Sequence, residues 1–340
     1  MSEYRTHILQ EHEMEHWDEF INRSSNGTIF HTSEWLRAAE SHANMKLLPV
    51  AVRKGNHIVC LLPLFYRRKY GLRILMSPPT LCAIPYLGPL FSIPSSNRYN
   101  YEQTYIDVID EIILFAEKSI GFDYMRIVHP PDVIDMRPYT WKKYYVHPRY
   151  TYIFDLTAKS EELYNHFHST TKNAVKKALT NQDIVISGDK KYAQDVLTLV
   201  RQRFTEKKIS FQISDGYFTQ LINSSLSDNI ESIAILHNDR VVAGDITLTD
   251  KKNAYAWIGS VSRDGNYPGV GELVLWEKIK EYARRGCMTY DIIGANRRDI
   301  RKHKAKYGAR LVDYFVVQKT SMKGGIALNL MNRYGKVNDE

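Results

Sequence analysis

The chain has 340 residues, of which 44% are hydrophobic and 25% charged, and its formal net charge is +8. This length favours two domains, and the composition excludes a disordered or fibrous protein. No apolar run approaches the roughly 20 residues of a membrane-spanning helix, and the N-terminus lacks an apolar signal segment. We therefore expect a cytoplasmic protein without a membrane span. The moderate positive charge fits an anionic partner without naming one, and we expect no DNA partner.

Hydrophobic spacing and turn residues predict the elements of the first half. In chain order they are two helices within 14–43, strands at 46–53, 57–66 and 72–77, an irregular segment at 78–97, a helix at 101–119 and a strand at 124–128. Residues 129–150 contain several prolines and no periodicity. We interpret them as the passage between two halves.

The second half is predicted to alternate strands and helices in a similar way. Its elements are strands at 150–156, 183–187, 230–237, 240–249, 253–261, 288–293 and 310–318, and helices at 160–179, 190–208, 215–226, 272–285 and 297–306. The tail segment 326–334 has the pattern of an amphipathic helix that docks on the first half or frays.

Two hairpin patterns align without a gap. Residues 50–59 and 233–242 each show an apolar strand, a two-residue turn (Gly55-Asn56 or Asn238-Asp239) and a second apolar strand. In both halves a long helix and a short strand follow. A period this long indicates a duplicated domain rather than a solenoid. We expect an α/β protein of two tandem domains, 1–149 (joined by the tail 319–340) and 150–318.

Cysteine and histidine positions give no sign of a metal site. Cys60, Cys82 and Cys287 lie far apart in apolar stretches, which predicts buried reduced thiols. His166 and His168 are two residues apart on a predicted helix, so they would point to different faces. We expect no metal.

A glycine-containing loop precedes the long helix of the second half. Asn266 to Gly271 reads N-Y-P-G-V-G, and Gly269, Val270 and Gly271 follow a predicted strand and open the helix. Glycines there let backbone amides approach an anion, especially a pyrophosphate, at the helix N-terminus. Arg263 supplies a nearby cation. We expect Arg263, Asn266 and Gly269–Gly271 to bind such a ligand.

Basic residues are concentrated in two segments of the second half. The first lies after a predicted strand and contains Arg297, Arg298, Arg301, Lys302, Lys304, Lys306 and Arg310, against one acid, Asp299. The second contains Lys172, Lys176, Lys177, Lys190, Lys191, Arg201, Arg203, Lys207 and Lys208. Each is either a solvated helix face or part of a surface that binds phosphates.

The loop Asn266-x-x-Gly269-x-Gly271 resembles the Gln/Arg-x-x-Gly-x-Gly/Ala loop of GNAT acyltransferases, with Asn at the first position. In that superfamily the loop holds the pyrophosphate of acyl-CoA. The tandem arrangement resembles the Fem-type branch, whose members carry two GNAT-like halves. The resemblance implies a mixed α/β (α+β) sheet flanked by helices in each half.

Further motifs resemble the Fem-type branch. They are Phe30-His31-Thr32-Ser33-Glu34-Trp35, the segment from Asp155-Leu156 to Ala178, Gly294-Ala295-Asn296, and Lys304-Ala305-Lys306-Tyr307-Gly308. The last is similar to a Phe-Lys-x-x-Phe-Gly signature, with His303 and Tyr307 in place of the phenylalanines. The resemblance implies that Lys304 stabilises charge on the reacting carbonyl or orients the donor phosphates.

These observations predict an N-acyltransferase that moves an acyl group from acyl-CoA, its co-substrate, to an amine. One alternative is a Fem-type aminoacyl transferase with aminoacyl-tRNA as donor, and a second is a non-catalytic RNA-binding or scaffold protein. The acceptor is expected between the two halves, lined by Trp35, Tyr86 and Arg203. The candidate bases for the attacking amine are Asp245, Asp291 and Glu272.

Overall fold

The computed structural model describes residues 3–250 and 252–326. The chain separates into two compact units, Met1–Pro148 with Tyr314–Glu340 and Arg149–Asp313. Apart from Ile326, the predicted tail helix 326–334 lies outside the described residues.

The helices and strands of the first 148 residues follow the predicted order closely. They are β1 (Tyr4–Ile8), α1 (Trp17–Arg23), α2 (Ser33–Ala43), β2 (Lys46–Lys54), β3 (His57–Lys69), β4 (Leu72–Ser77), β5 (Leu90–Phe91), α3 (Arg98–Phe115), β6 (Tyr124–Val128) and α4 (Arg137–Trp141). The predicted passage 129–150 thus contains α4 and the beginning of β7 (Tyr145–Asp155).

The rest of the chain alternates helices and strands. The elements are α5 (Ser160–Asn165), α6 (Ser169–Leu179), β8 (Ile184–Ser187), α7 (Ala193–Glu206), α8 (Asp215–Ile222), β9 (Ile230–His237), β10 (Arg240–Thr249), β11 (Asn253–Val261), α9 (Val270–Arg284), β12 (Thr289–Asp291), α10 (Arg298–Lys304) and β13 (Arg310–Thr320).

The first unit is a mixed sheet in the order β1-β2-β3-β4-β6-β13, with β5 against β3. β4 runs parallel to β6. β3 runs antiparallel to both β2 and β4, and β13 runs antiparallel to β6. Helix α3 buries Tyr105, Val108, Ile109, Ile112 and Ile113 against the sheet. Their spacing of three or four residues makes one continuous apolar helix face, which explains why this segment is a helix packed on the sheet.

The second unit has the sheet order β7-β12-β11-β10-β9-β8, in which only β11 and β12 run parallel. Successive residues of β10 point to opposite faces. Ala243 packs in a core cluster with residues of α9, whereas Gly244 faces Val196 of α7. Helices α9 and α7 therefore cover opposite faces of this sheet. The predicted mixed α/β fold is confirmed.

The two predicted hairpins are alike in detail. Lys54 pairs with His57 in one, and His237 pairs with Arg240 in the other, so each turn has two residues. Each hairpin also has a register shift next to its turn. In the second turn Asn238 and Asp239 have φ of 48° and 60°, as a type I′ turn requires.

The predicted helix 160–179 was wrong as a single element. α5 ends at Asn165 and α6 begins at Ser169. The break forms because the His168 side chain caps α6 by accepting from the Thr170 amide, and the His168 amide donates to the Lys306 carbonyl at 2.8 Å. His166 and His168 therefore lie in a connection between helices.

Candidate functional site

A gap opens in the sheet of the second unit between β11 and β12. The two strands pair only at 253–255 with 289–291. β11 continues to Val261, whereas β12 ends at Asp291. Beyond Tyr255, the edge of β11 that faces β12 has no strand partner among the described residues. Its backbone amides and carbonyls are available to an extended ligand lying in the gap.

A β-bulge lies on β11 where the gap begins. Ile258 pairs with Ile246 and Ala256 pairs with Thr247, so Trp257 is the extra residue of the bulge. The Trp257 ring stacks on Phe218 of α8 at 6.2 Å between centroids. A bulge locally re-aims the backbone. The peptide groups of β11 along the gap are candidates for polarising a bound carbonyl.

Helix α9 begins beside this gap without a capping side chain. Gly269 is the N-cap residue and has a φ of 84°, and no side chain in the described part of the chain caps the helix. The Val270 amide donates to the Tyr267 carbonyl at a long 3.5 Å, while the Val270 side chain is only 2% exposed in the core. The first turn therefore offers its amides, not the Val270 side chain, to an anion.

The two glycines of the loop differ in what requires them. A Cβ at Gly269 would lie 2.0 Å from the carbonyl oxygen of Ala174 in α6, whereas one at Gly271 would meet only the Val261 Cγ2 atom, at 3.0 Å. Gly269 thus lets α6 approach the start of α9, a packing role that the sequence interpretation missed. Gly271 is the glycine whose position allows a side chain without a backbone collision.

We expect Gly269→Ala to destabilise the protein by about 3 kcal/mol, because a left-handed φ and a backbone clash act together. Gly286→Ala is the matched control. Gly286 has a φ of 81°, and a Cβ there would meet no atom within 4 Å, so it should cost only the backbone strain, about 1 kcal/mol. Urea denaturation of both variants measures the difference. Equal losses would show that the Ala174 contact is unimportant.

Lys304 lies at the C-terminal end of α10, and its side chain is half-buried. Its Nζ donates to the carbonyl oxygens of Ile292 (2.5 Å) and Ile293. Burial lowers the pKa of Lys304 to about 8, and the nearby Asp291 and Asp245 carboxylates oppose that shift. Lys304 therefore stays largely protonated at neutral pH.

The turn that Lys304 contacts is strained. Ile293 has a φ of 39°, which a β-branched residue rarely adopts. Its amide donates to Asp291 Oδ1 at 2.8 Å, while Lys304 binds its carbonyl. Asp291, only 3% exposed, also accepts from Thr151 Oγ1 at 2.5 Å. Such strain persists where surrounding contacts enforce it, commonly at functional sites.

A second acid and a second lysine lie next to this cluster. Lys278 of α9 is 1% exposed and bonds Asp245 of β10. Burial lowers the pKa of Lys278, and burial raises the pKa of Asp245 against the opposing effect of Lys278. Gly259 admits this carboxylate, because a Cβ there would lie 2.5 Å from Asp245 Oδ2. The structure thus brings Asp245 and Asp291 into electrostatic reach of Lys304.

Comparisons with known proteins agree with this geometry. Residues 165–306 match the model of a family described as acetyltransferase (GNAT) domain. The second unit carries a GNAT acyltransferase domain. No curated protein matches the sequence of the chain.

Solved structures extend the likeness over nearly the whole chain. FemX superposes with a TM-score of 0.69 at 12% identity, covering 95% of this chain and 99% of that chain. The C-terminal domain of a putative lysylphosphatidylglycerol synthetase from Agrobacterium fabrum gives 0.57 at 10%, covering 92% and 95%. A tandem GNAT protein from the clavulanic acid biosynthesis pathway gives 0.51 at 11%, covering 93% and 98%. At these identities the likeness concerns the fold, and at that level the predicted Fem-type tandem GNAT resemblance is confirmed.

Two residues of the GNAT domain that we did not assign to the site lie beside its helix start. Tyr307 bonds His303 Nε2 through its hydroxyl at 3.0 Å, and Glu272 of the first turn of α9 acts on both electrostatically. Partial burial lowers the pKa of His303. The sequence did mark these two positions, because His303 and Tyr307 replace the two phenylalanines of the Phe-Lys-x-x-Phe-Gly signature by polar residues. Glu272 therefore faces α10.

The remaining predicted residues have varied surroundings. Arg263 and Asn266 are exposed beside the start of α9. Arg203 of α7 pairs with Glu206 at 2.9 Å. In the first unit, Trp35 is fully buried against Phe30, and Tyr86 is 1% exposed and packs on Tyr314. A role for Trp35 or Tyr86 in binding an acceptor would need these side chains to move, because neither reaches solvent.

The two basic segments of the GNAT domain meet at one place. The His168 amide bonds the Lys306 carbonyl, so the start of α6 lies against the end of α10. Exposed cations follow on both helices: Lys176 and Lys177 on α6, and Arg298, Arg301, Lys302 and Lys306 on or just after α10. This part of the domain is strongly cationic.

Three further findings concern cysteines, metals and membranes. Cys60 and Cys82 are buried, as predicted, whereas Cys287 is partly exposed. Within residues 3–250 and 252–326, no three His, Cys, Asp or Glu side chains are grouped to hold a metal ion. None of the helices in this part of the chain is both long and apolar enough to cross a bilayer.

Proposed function

We propose that the chain transfers an acyl group from acyl-CoA to an amine. The observation that carries the proposal is the uncapped N-terminus of α9 beside the gap between β11 and β12. The amides of the first turn suit a pyrophosphate, and the gap suits the extended arm that links the pyrophosphate to the thioester. Arg263 and Asn266 are exposed just before the helix start, and in this proposal they contact the same ligand.

The chemistry proposed for the gap is direct transfer. The amine nitrogen attacks the thioester carbonyl, the new C–N bond forms, the C–S bond breaks, and the thiolate leaves. Negative charge develops on the carbonyl oxygen, and Lys304 together with the peptide groups of β11 along the gap stabilises it. The proton of the amine passes to Asp291 or Asp245, the acids that act electrostatically on Lys304, or to water. Holding both substrates in one geometry supplies much of the rate.

A second donor, aminoacyl-tRNA, is favoured by a separate observation. The exposed cations of α6 and α10 adjoin each other through the His168–Lys306 contact. Several phosphate contacts on one face are what a tRNA requires, and they make binding strongly dependent on salt. The same amine chemistry applies, with an ester in place of the thioester.

We expect purified protein to bind acetyl-CoA in a calorimetric titration and Gly271→Asp to weaken that binding at least tenfold. The new carboxylate would stand at the second position of α9, where it repels phosphate but favours the helix. Gly216→Asp is the matched control, because Gly216 holds the same position in α8 and has open space around it. The control should bind acetyl-CoA normally.

The outcome separates the donors. Equal binding of acetyl-CoA by Gly271→Asp and the wild type would show that the pyrophosphate does not bind at the start of α9. No binding of acetyl-CoA at millimolar concentration, combined with salt-sensitive binding of aminoacyl-tRNA that is lost in an Arg298→Gln, Arg301→Gln, Lys302→Gln variant, would establish the second donor. Binding of neither would leave the scaffold alternative.

A further inference from the structure

One edge of the first unit presents a basic and apolar surface that the acyl-transfer chemistry does not use. The parallel strands β4 and β6 both begin at this edge, and β13 ends there. Three segments form it: the β3–β4 turn around Tyr70-Gly71, residues 117–122, and residues 319–326. The Lys323 Nζ donates to the Gly71 carbonyl at 3.0 Å, which holds the third segment against the turn. We call this surface the basic edge.

The sequence around the basic edge is depleted of acids. Between Glu40 and Glu102 there is no Asp or Glu. At the β3–β4 turn the stretch R-R-K-Y-G-L-R supplies four cations, and Arg68 lies directly opposite Arg73 across the two strands. Like charges directly opposite each other destabilise a strand pair. A sequence that keeps them at an exposed turn indicates that they serve binding rather than folding.

The acids present at this edge are already paired. Asp123 contacts Arg73 at 3.5 Å, and Glu117 bonds Lys319 at 2.8 Å. In contrast, Arg68, Lys69, Lys118 and Lys323 form no ion pair with a carboxylate in the described part of the chain. The basic edge therefore keeps an excess of positive charge that its own residues do not neutralise.

Apolar side chains protrude among these cations. Tyr70 is 83% exposed at the tip of the turn, Met322 is 88% exposed and Ile326 is 62% exposed. Tyr70 also has a φ of 53°, an unfavourable conformation for an aromatic residue. Lys69 lies over the Tyr70 ring at 5.1 Å. A folding requirement alone would favour Gly or Asn at this position, so the exposed ring indicates a contact outside the chain.

A cavity of about 540 Å³ opens beside the turn. Its lining includes the cations Arg73, Lys118 and Lys319, the acid Glu117 that pairs with Lys319, and the hydroxyl-bearing residues Thr320 and Ser321. Cations and hydroxyls are the groups that bind a phosphate ester. The cavity thus places three cations against one acid beside the side chains that protrude from the basic edge.

We propose that the basic edge docks on a bilayer surface rich in anionic phospholipid. Lysines and arginines near such a surface are each attracted to it, and Tyr is the side chain typical of the headgroup level. The protruding Met322 and Ile326 enter the acyl boundary, which favours a membrane over a nucleic acid, since a nucleic acid has no apolar layer to receive them. This inference concerns the first unit and does not depend on the acyl donor.

We expect the full chain to sediment with vesicles of phosphatidylcholine and phosphatidylglycerol at 3:1 but not with phosphatidylcholine alone. An Arg68→Gln, Lys69→Gln, Lys323→Gln variant should partition about 100-fold less, since each cation contributes about fivefold. A Tyr70→Asn, Met322→Gln variant should also bind less, and Asn accepts the positive φ at residue 70. Raising the salt concentration should weaken all of this binding.

The matched control is Arg298→Gln, Arg301→Gln, Lys302→Gln, which removes the same charge from the other cationic surface and should leave vesicle binding unchanged. If this control lost vesicle binding equally, binding would depend only on the net charge of the protein, and this result would overturn the proposal. So would absence of binding to anionic vesicles, or binding of single-stranded RNA that needs the three cations of the basic edge but not Tyr70 and Met322. Circular dichroism of each variant confirms that it is folded.

Discussion

Lys304→Met should lower the rate of acyl transfer by about 100- to 1,000-fold while leaving donor binding nearly intact. Removing one hydrogen-bond donor to a developing oxyanion lowers a reaction rate by this factor. Methionine keeps the length and apolar stem of the side chain but removes the ammonium that binds the Ile292 and Ile293 carbonyls. The measurement is thiol release from acetyl-CoA with a panel of primary amines, or loss of labelled amino acid from aminoacyl-tRNA.

Lys302→Met is the control for Lys304, because Lys302 is an exposed lysine on the same helix. It should retain the full rate of thiol release from acetyl-CoA. The wild-type rate should also lose the Lys304 contribution above pH about 8, where this side chain becomes neutral. If the acyl-transfer rate of Lys304→Met were within a few-fold of the wild-type rate, the role of Lys304 would be only to stabilise the turn at Ile293. Urea denaturation shows whether the loss is one of folding.

Local sequence patterns predicted much of this fold. Both hairpins form at the predicted places, since an Asn-Asp or Gly-Asn turn between alternating apolar strands leaves few other structures. The start of α9 was also recognisable, because Gly269 and Gly271 follow a strand and precede an amphipathic helix. These features depend on residues close together in the chain.

Features that depend on distant residues were not predictable in the same way. The break between α5 and α6 depends on a contact of His168 with Lys306, 138 positions later in the chain, and no Pro or Gly marks it. The Asp245–Lys278 pair joins a strand to a helix, and Gly259 on a third element makes room for it. The sequence predicted that Gly269 serves ligand binding, and it gave no sign of the close approach of the Ala174 carbonyl, which also requires a glycine there. Periodicity does not report such contacts.

The first unit should lose about 4 kcal/mol of stability between pH 7.5 and pH 5 because of two buried histidines. His31 and His129 are both fully buried, and burial lowers the pKa of His31 to about 4 and that of His129 to about 3. Below the unfolded pKa of about 6.5 the unfolded chain binds protons that the folded chain does not. Stability is therefore complete above that pH and falls as the pH drops towards the folded values, by about 2 kcal/mol per histidine at pH 5.

His129→Leu separates this effect from the other ionisations of the protein. Neither ring nitrogen of His129 has a hydrogen-bond partner among the described residues, whereas His31 bonds Thr28 and the Leu87 carbonyl. Replacing an unpaired buried ring by an apolar side chain should leave stability at pH 7.5 unchanged or higher, and should halve the loss at pH 5. His57→Leu, at an exposed position, should keep the wild-type pH dependence. Urea denaturation at the two pH values measures all three proteins, and a His129→Leu protein as acid-sensitive as the wild type would contradict the assignment.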